Sequence, residues 1–152
     1  MNIIFLDIDG VLNNRHTRTR TSDGWCFVDN HLVARLKTLV DYSGARIVLS
    51  STWREGWHQE DESLNDVSFI ELRDKFRDFG IEIFDRTGEM RQHRWQSIKE
   101  YLERPREDPI EHYVIIDDWD DMGEYSGHLV WANPSIGLTD FDVKEALRIL
   151  KI

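Results

Sequence analysis

The chain has one cysteine, three prolines and no apolar run longer than a few residues in its 152 positions. A single thiol, Cys26, excludes an internal disulfide and suits a reducing compartment, so a cytoplasmic location is expected and Cys26 reads as a small packing residue. The apolar runs fall far short of the ~20 residues that a membrane-spanning helix needs. A strand pattern begins almost at the first residue, so no signal or transit peptide is expected. Basic residues number 19 against 29 acidic ones, and the resulting charge of −10 opposes nonspecific binding to nucleic acid. The six histidines show no metal-ligand spacing, which argues against zinc. With 40% apolar and 32% charged residues the chain is not disordered, and residues 1–152 suit one globular domain.

What is present is concentrated at strand ends. Ile3-Ile4-Phe5-Leu6 reads as a buried parallel strand. It runs into Asp7-Ile8-Asp9-Gly10, where the aspartates share a face for as long as the chain stays extended and Gly10 permits a sharp turn. Two carboxylates meeting at the end of a core strand are costly without a cation between them, which points to magnesium and phosphate chemistry. A calcium loop of the EF-hand type is excluded, because that loop needs a longer ligand series with glycine at its sixth position.

Strands and helices alternate through the rest of the chain. After a polar flap over about 13–28, an apolar stripe of Leu32, Val33, Leu36, Leu39 and Val40 predicts a helix from Asp29 or Asn30 to Tyr42. Arg46–Ser50 follows as the second strand, and 53–66 reads as loop. Ser68 and Glu71 have capping-box spacing for a helix ending near Gly80. A third strand is expected over Ile81–Phe84, a helix over Gln92–Glu103, a fourth strand over Tyr113–Ile116 and a fifth over Leu129–Trp131. Thr139 and Asp142 cap a final helix. This alternation predicts an α/β fold whose ligand site lies outside the carboxyl ends of the strands. Asp7 and Asp9, Ser50 and Ser51, and Asp117 and Asp118 should therefore converge.

In this order the motifs resemble the haloacid dehalogenase (HAD) superfamily of phosphatases and phosphotransferases. Asp7-Ile8-Asp9-Gly10-Val11 is similar to its DxDG(V/T) signature, and Ile47-Val48-Leu49-Ser50 to its strand ending in a hydroxyl. Arg94 or Lys99 stands for the basic residue on a later helix, and Val114–Asp118 for the strand that ends in paired acids. The segments Ser50–Arg54 and Asn133–Thr139 more narrowly resemble a subgroup tied to nucleic-acid repair, whose phosphatase domain removes terminal phosphates. The resemblance implies a Rossmann-like three-layer sandwich with a mainly parallel five-stranded sheet and no large cap domain.

It also implies roles. Asp7 would be the nucleophile and Asp9 the general acid/base, with the Asp9 backbone carbonyl facing Mg2+. Asp118 is favoured as the acid ligand of the fourth strand, with Asp117 in support. Ser50 or Ser51 would bind the phosphoryl oxygens, and Arg94 or Lys99 would neutralise them. Arg54 is either a surface ion-pair partner or a substrate contact. Trp53 and Trp119 adjoin the motif loops and have the chemistry to stack a base, while Asp120, Asp121 and Glu124 read as a solvated loop. Connections too short for a cap domain favour a large substrate, such as a nucleic-acid terminus, with Arg15, Arg18 and Arg20 gripping neighbouring phosphates. The alternatives are a small-molecule nucleotide phosphatase, a phosphoprotein phosphatase, and a noncatalytic binding module of the same fold.

Overall fold

The computed structural model of the protein describes every residue except Met90. Five strands form one all-parallel sheet: β1 (Asn2–Leu6), β2 (Arg46–Leu49), β3 (Ile83–Arg86), β4 (His112–Asp117) and β5 (Leu129–Trp131). Their spatial order is β3-β2-β1-β4-β5. The chain leaves β1 to one side through β2 and returns on the other through β4. This reversal of strand order opens a crevice at the carboxyl end of β1.

Residue parity divides the core into two layers. Ile4 and Leu6 of β1, Ile47 and Leu49 of β2, and Val114 and Ile116 of β4 face α1 (Asn30–Ser43), α2 (Val67–Asp78) and α4 (Asp140–Ile149). Ile3, Phe5, Val48 and Ile115 face α3 (Arg94–Glu103), which contributes Ile98 and Tyr101, with Met122 beside them. Because both faces are covered, the central strands read as continuous apolar runs instead of alternating ones.

Local chemistry sets the element ends. Gly44 closes α1 in the left-handed region at φ 64°, where a Cβ would be strained. Thr139 and Asp142 form the expected reciprocal cap on α4. The cap expected at Ser68 is a miss. α2 starts one residue earlier, at Val67, with Asp66 in the capping position and no side-chain cap bond. β3 lies two residues beyond its expected place, at Ile83–Arg86, because Ile81 is spent on the core and its N–H closes the end of α2 on the Phe76 carbonyl. The segment expected as loop, 53–66, holds most of one 3-10 turn, Thr52–Gly56, and all of a second, Glu62–Leu64. Residues 13–28 make an irregular excursion with one antiparallel bridge between Arg20 and Cys26. No helix among the described residues is long and apolar enough to cross a membrane.

Candidate active site

The site grows from strand register. Leu6 is paired with Leu49 on one side and Ile116 on the other. One step further, Asp7, Ser50 and Asp117 therefore stand side by side at the sheet rim. The Asp7 N–H donates to the Ile116 carbonyl at 3.0 Å, and the Ser50 N–H to the Leu6 carbonyl at 2.9 Å. All three continue the parity of Phe5, Val48 and Ile115, so their side chains lie on the α3 face. Asp118 follows Asp117, and carboxylate oxygens of Asp7, Asp117 and Asp118 lie within 4.8 Å of one another.

Asp7 is 4% exposed and Asp117 fully buried, so their charges are poorly solvated. Burial, reinforced by Asp117, pushes the Asp7 carboxyl well above the usual carboxylate range, and only Arg94 pulls the other way. The neighbouring Asp118 carboxylate adds to the same upward push on Asp7. Burial likewise raises Asp117 against the pull of Arg94. The counter-charge is Arg94, the first residue of α3, whose Nη1 lies 2.7 Å from Asp117 Oδ2 and 3.3 Å from Asp7 Oδ1. Its guanidinium sits over the Trp119 ring at 4.8 Å, and the Trp119 N–H donates to Asp117.

One guanidinium among three crowded carboxyls leaves an excess of negative charge, and an all-oxygen donor set is the kind that magnesium takes. The cluster therefore fits magnesium. Gly10 makes room for it. At φ 82°, a Cβ here would lie 2.4 Å from Asp118 Oδ2. Gly10→Ala should cost about 1–3 kcal/mol of stability and weaken magnesium binding by displacing Asp118. Calorimetric titration with MgCl2 checks this; wild-type affinity would mean that Asp118 does not hold the ion.

The structure separates the candidate residues that the sequence left paired. Ser51 accepts the Trp53 N–H and caps the turn at Thr52–Gly56, whereas Ser50 Oγ is buried at the rim with no hydrogen-bond partner among the described residues. Lys99 is not brought to the cluster; it is half-buried and paired with Glu103 at 2.6 Å. Five residues past Arg94 on a helix, it points to a different side.

Arg54 is neither a surface residue nor free for a substrate. It is 3% exposed, and its guanidinium donates to the carbonyls of Gly88, Ser50 and Ser51, which holds the loop after β2 in shape. Arg86, which the sequence reading passed over, does the same for the Arg54 and Trp57 carbonyls. Arg15, Arg18 and Arg20 are exposed on the excursion after Asp9.

Asp9 departs from the shared-face expectation, because the strand ends at Leu6 and Asp9 lies in the following turn. Its exposed carboxylate stands apart from the acid cluster and accepts from Asn13 Nδ2 at 2.9 Å and Trp53 Nε1 at 3.2 Å. Asn13 is the residue that sequence reasoning missed. Buried beneath the turn, it also accepts the Gly10 N–H and donates to the Phe27 carbonyl. Its place four residues after Asp9 in the first motif was the available signal.

An all-parallel sheet of this order, with acids closing β1 and β4, is the Rossmann-like fold of the HAD superfamily, without a large cap domain. Residues 3–143 match the family described as the HAD domain in Swiss Army Knife RNA repair proteins, and the chain belongs to that family. No curated protein and no solved structure matches the chain.

Proposed function

We propose that the protein is a magnesium-dependent phosphomonoesterase acting through a phospho-Asp7 intermediate on the terminal phosphate of a nucleic acid. The observation that carries this reading is the buried Asp7–Asp117–Asp118 cluster with Arg94 against it and the unpartnered Ser50 hydroxyl on the neighbouring strand. Asp7 and Asp118, supported by Asp117 and the Asp9 backbone carbonyl, would hold magnesium, which would supply positive charge to keep the carboxylates ionised and offset the phosphoryl oxygens.

Asp7 attacks phosphorus, forming an acyl-phosphate bond as the ester P–O bond breaks. Asp9, aimed by Asn13 and Trp53, gives its proton to the leaving oxygen. It then removes a proton from the water that attacks the phospho-Asp7 phosphorus, which releases inorganic phosphate and restores both residues. Arg94 and Ser50 hold the equatorial oxygens, and Arg54 positions the loop behind them. Membership of a family from RNA repair proteins supports a nucleic-acid substrate. The uncapped crevice supports a polymer end, whose neighbouring phosphates Arg15, Arg18 and Arg20, exposed on the excursion after Asp9, would grip locally. That grip weakens with salt.

Phosphate release from an aryl phosphate in the presence of magnesium tests the chemistry. Asp9→Asn should lower kcat by about 10²–10⁴-fold, the usual contribution of general acid–base catalysis. An inactive wild type would end the reading. Terminally phosphorylated oligonucleotides should outperform mononucleotides and phosphopeptides; the reverse order would reassign the substrate class.

A further inference from the structure

A second cleft lies against Asp9, lined by Trp25, Trp53, Glu55 and Asp66. Its volume is about 190 Å³, below the roughly 300–1,000 Å³ of sites that take a whole drug-sized ligand. It therefore suits one ring system. Two indoles line it, Trp25 from the excursion after β1 and Trp53 from the turn after β2. Trp53 is fixed by its bond to Asp9 and lies tilted beside Phe27, with ring centroids 6.5 Å apart.

Trp25 is 64% exposed, although its backbone is anchored, its N–H donating to Thr21 Oγ1 and its carbonyl accepting from the Thr21 N–H. The turn that carries it is tethered to α2, where the Ser22 N–H donates to Glu71 at 3.0 Å. A large apolar ring is thus held open to solvent on an anchored loop. That is the form of a stacking platform, not of a frayed surface.

The charged groups around these rings are all carboxylates: Asp9, Glu55 and Asp66. No lysine or arginine lines the cleft, so a phosphate is repelled from it. Asp66, in the capping position of α2, makes no side-chain cap bond, and the His58 ring lies 3.8 Å away. Its oxygens remain able to accept. A ligand that offers aromatic faces to the indoles and N–H donors to the carboxylates is a nucleobase.

We infer that this cleft holds the base of the leaving nucleoside, with Trp25 and Trp53 on its faces and Glu55 and Asp66 at its edge. The side is the right one, since Asp9 borders both the cleft and the leaving oxygen. Guanine is the preferred base. It presents an imino and an amino donor on one edge, whereas uracil presents one imino group between two carbonyls that the carboxylates repel.

The inference rests on the phosphatase reading, and the test separates the two. Acetyl phosphate carries no ring and reports the chemistry alone; terminally phosphorylated dinucleotides ending in guanosine or uridine report the base. The guanosine end should be favoured in kcat/KM by about tenfold. Trp25→Ala should lower the ratio of dinucleotide to acetyl phosphate turnover by about tenfold, through KM more than kcat. Glu55→Gln with Asp66→Asn should close the gap between guanosine and uridine.

Equal turnover of both ends, or an unchanged ratio in Trp25→Ala, overturns the base site and leaves the phosphatase standing. If neither compound is hydrolysed, the phosphatase reading fails, and calorimetry decides the cleft. Guanosine monophosphate binding more tightly than ribose 5-phosphate, with the difference lost in Trp25→Ala, upholds it; equal affinities overturn it.

Discussion

Asp7→Asn is expected to abolish phosphate release and, in the absence of magnesium, to raise the melting temperature. The first effect follows from removing the proposed nucleophile and should reach about 10⁴-fold or more in kcat. The second follows from the position of Asp7. Its carboxyl is raised chiefly by burial and then by Asp117, more than Arg94 lowers it. A carboxyl raised by folding favours the folded state while protonated.

That contribution is complete below the ordinary value near ~3.9 and disappears as the pH climbs through the raised folded value. The metal-free wild type should therefore lose stability between acid and neutral pH. Asparagine, with no proton to lose at this position, escapes that part of the loss. At neutral pH the variant should be more stable by about 0.5–2 kcal/mol, the usual scale when a functional strain is relieved. Asp117, raised in the same sense, leaves a smaller slope in both proteins. Magnesium should reverse the ranking by stabilising the wild type more. Melting curves from pH 4 to 8, with and without MgCl2, measure all of this; a variant that melts below the metal-free wild type at neutral pH would refute the account.

Arg94→Ala should be the most damaging single change at the site. Arg94 is the charge partner of fully buried Asp117 and nearly buried Asp7, and its removal strands both. Breaking a buried pair from one side costs about 3–5 kcal/mol. Magnesium should restore part of this loss, because its charge falls on the same carboxylates, so urea midpoints should converge as MgCl2 is added. Arg94→Lys should retain more stability than alanine, yet it lacks the planar guanidinium that lies over Trp119 and reaches two carboxylates. An unchanged urea midpoint in Arg94→Ala would show that Asp117 is not charged in the metal-free protein.

The central strands and the acids at their ends were readable because burial on both faces writes an uninterrupted apolar run that stops where the polar rim begins. α1 was readable for a similar reason, its apolar stripe and Gly44 locating it within a residue. The Ser68 cap and the start of β3 were not. A three-residue spacing and a short apolar run are shared by several registers, and only tertiary packing of Ile81 and Phe69 chooses among them.

Within the site, strand position brings Asp7, Ser50, Asp117 and Asp118 together, and sequence carries strand position. The choice between Ser50 and Ser51, or Arg94 and Lys99, depends on where a turn spends its hydrogen bonds and which side of a helix faces the rim. Trp53, Arg54 and Arg86 act through contacts to segments distant in sequence, which no local pattern announces.

The Leu6–Leu49 and Leu6–Ile116 pairings have a consequence for how this protein fails. The two arms of the site sit on strands hydrogen-bonded to one another through the middle of the molecule. A slip of β4 by one residue would exchange Asp117 for Asp118 and expel Ile116 from the core. Register shifts only in whole residues, so the Asp7–Ser50–Asp117 rim cannot loosen by degrees. Heat should leave the chemistry intact until the whole sheet separates, and inactivation and unfolding should trace one curve.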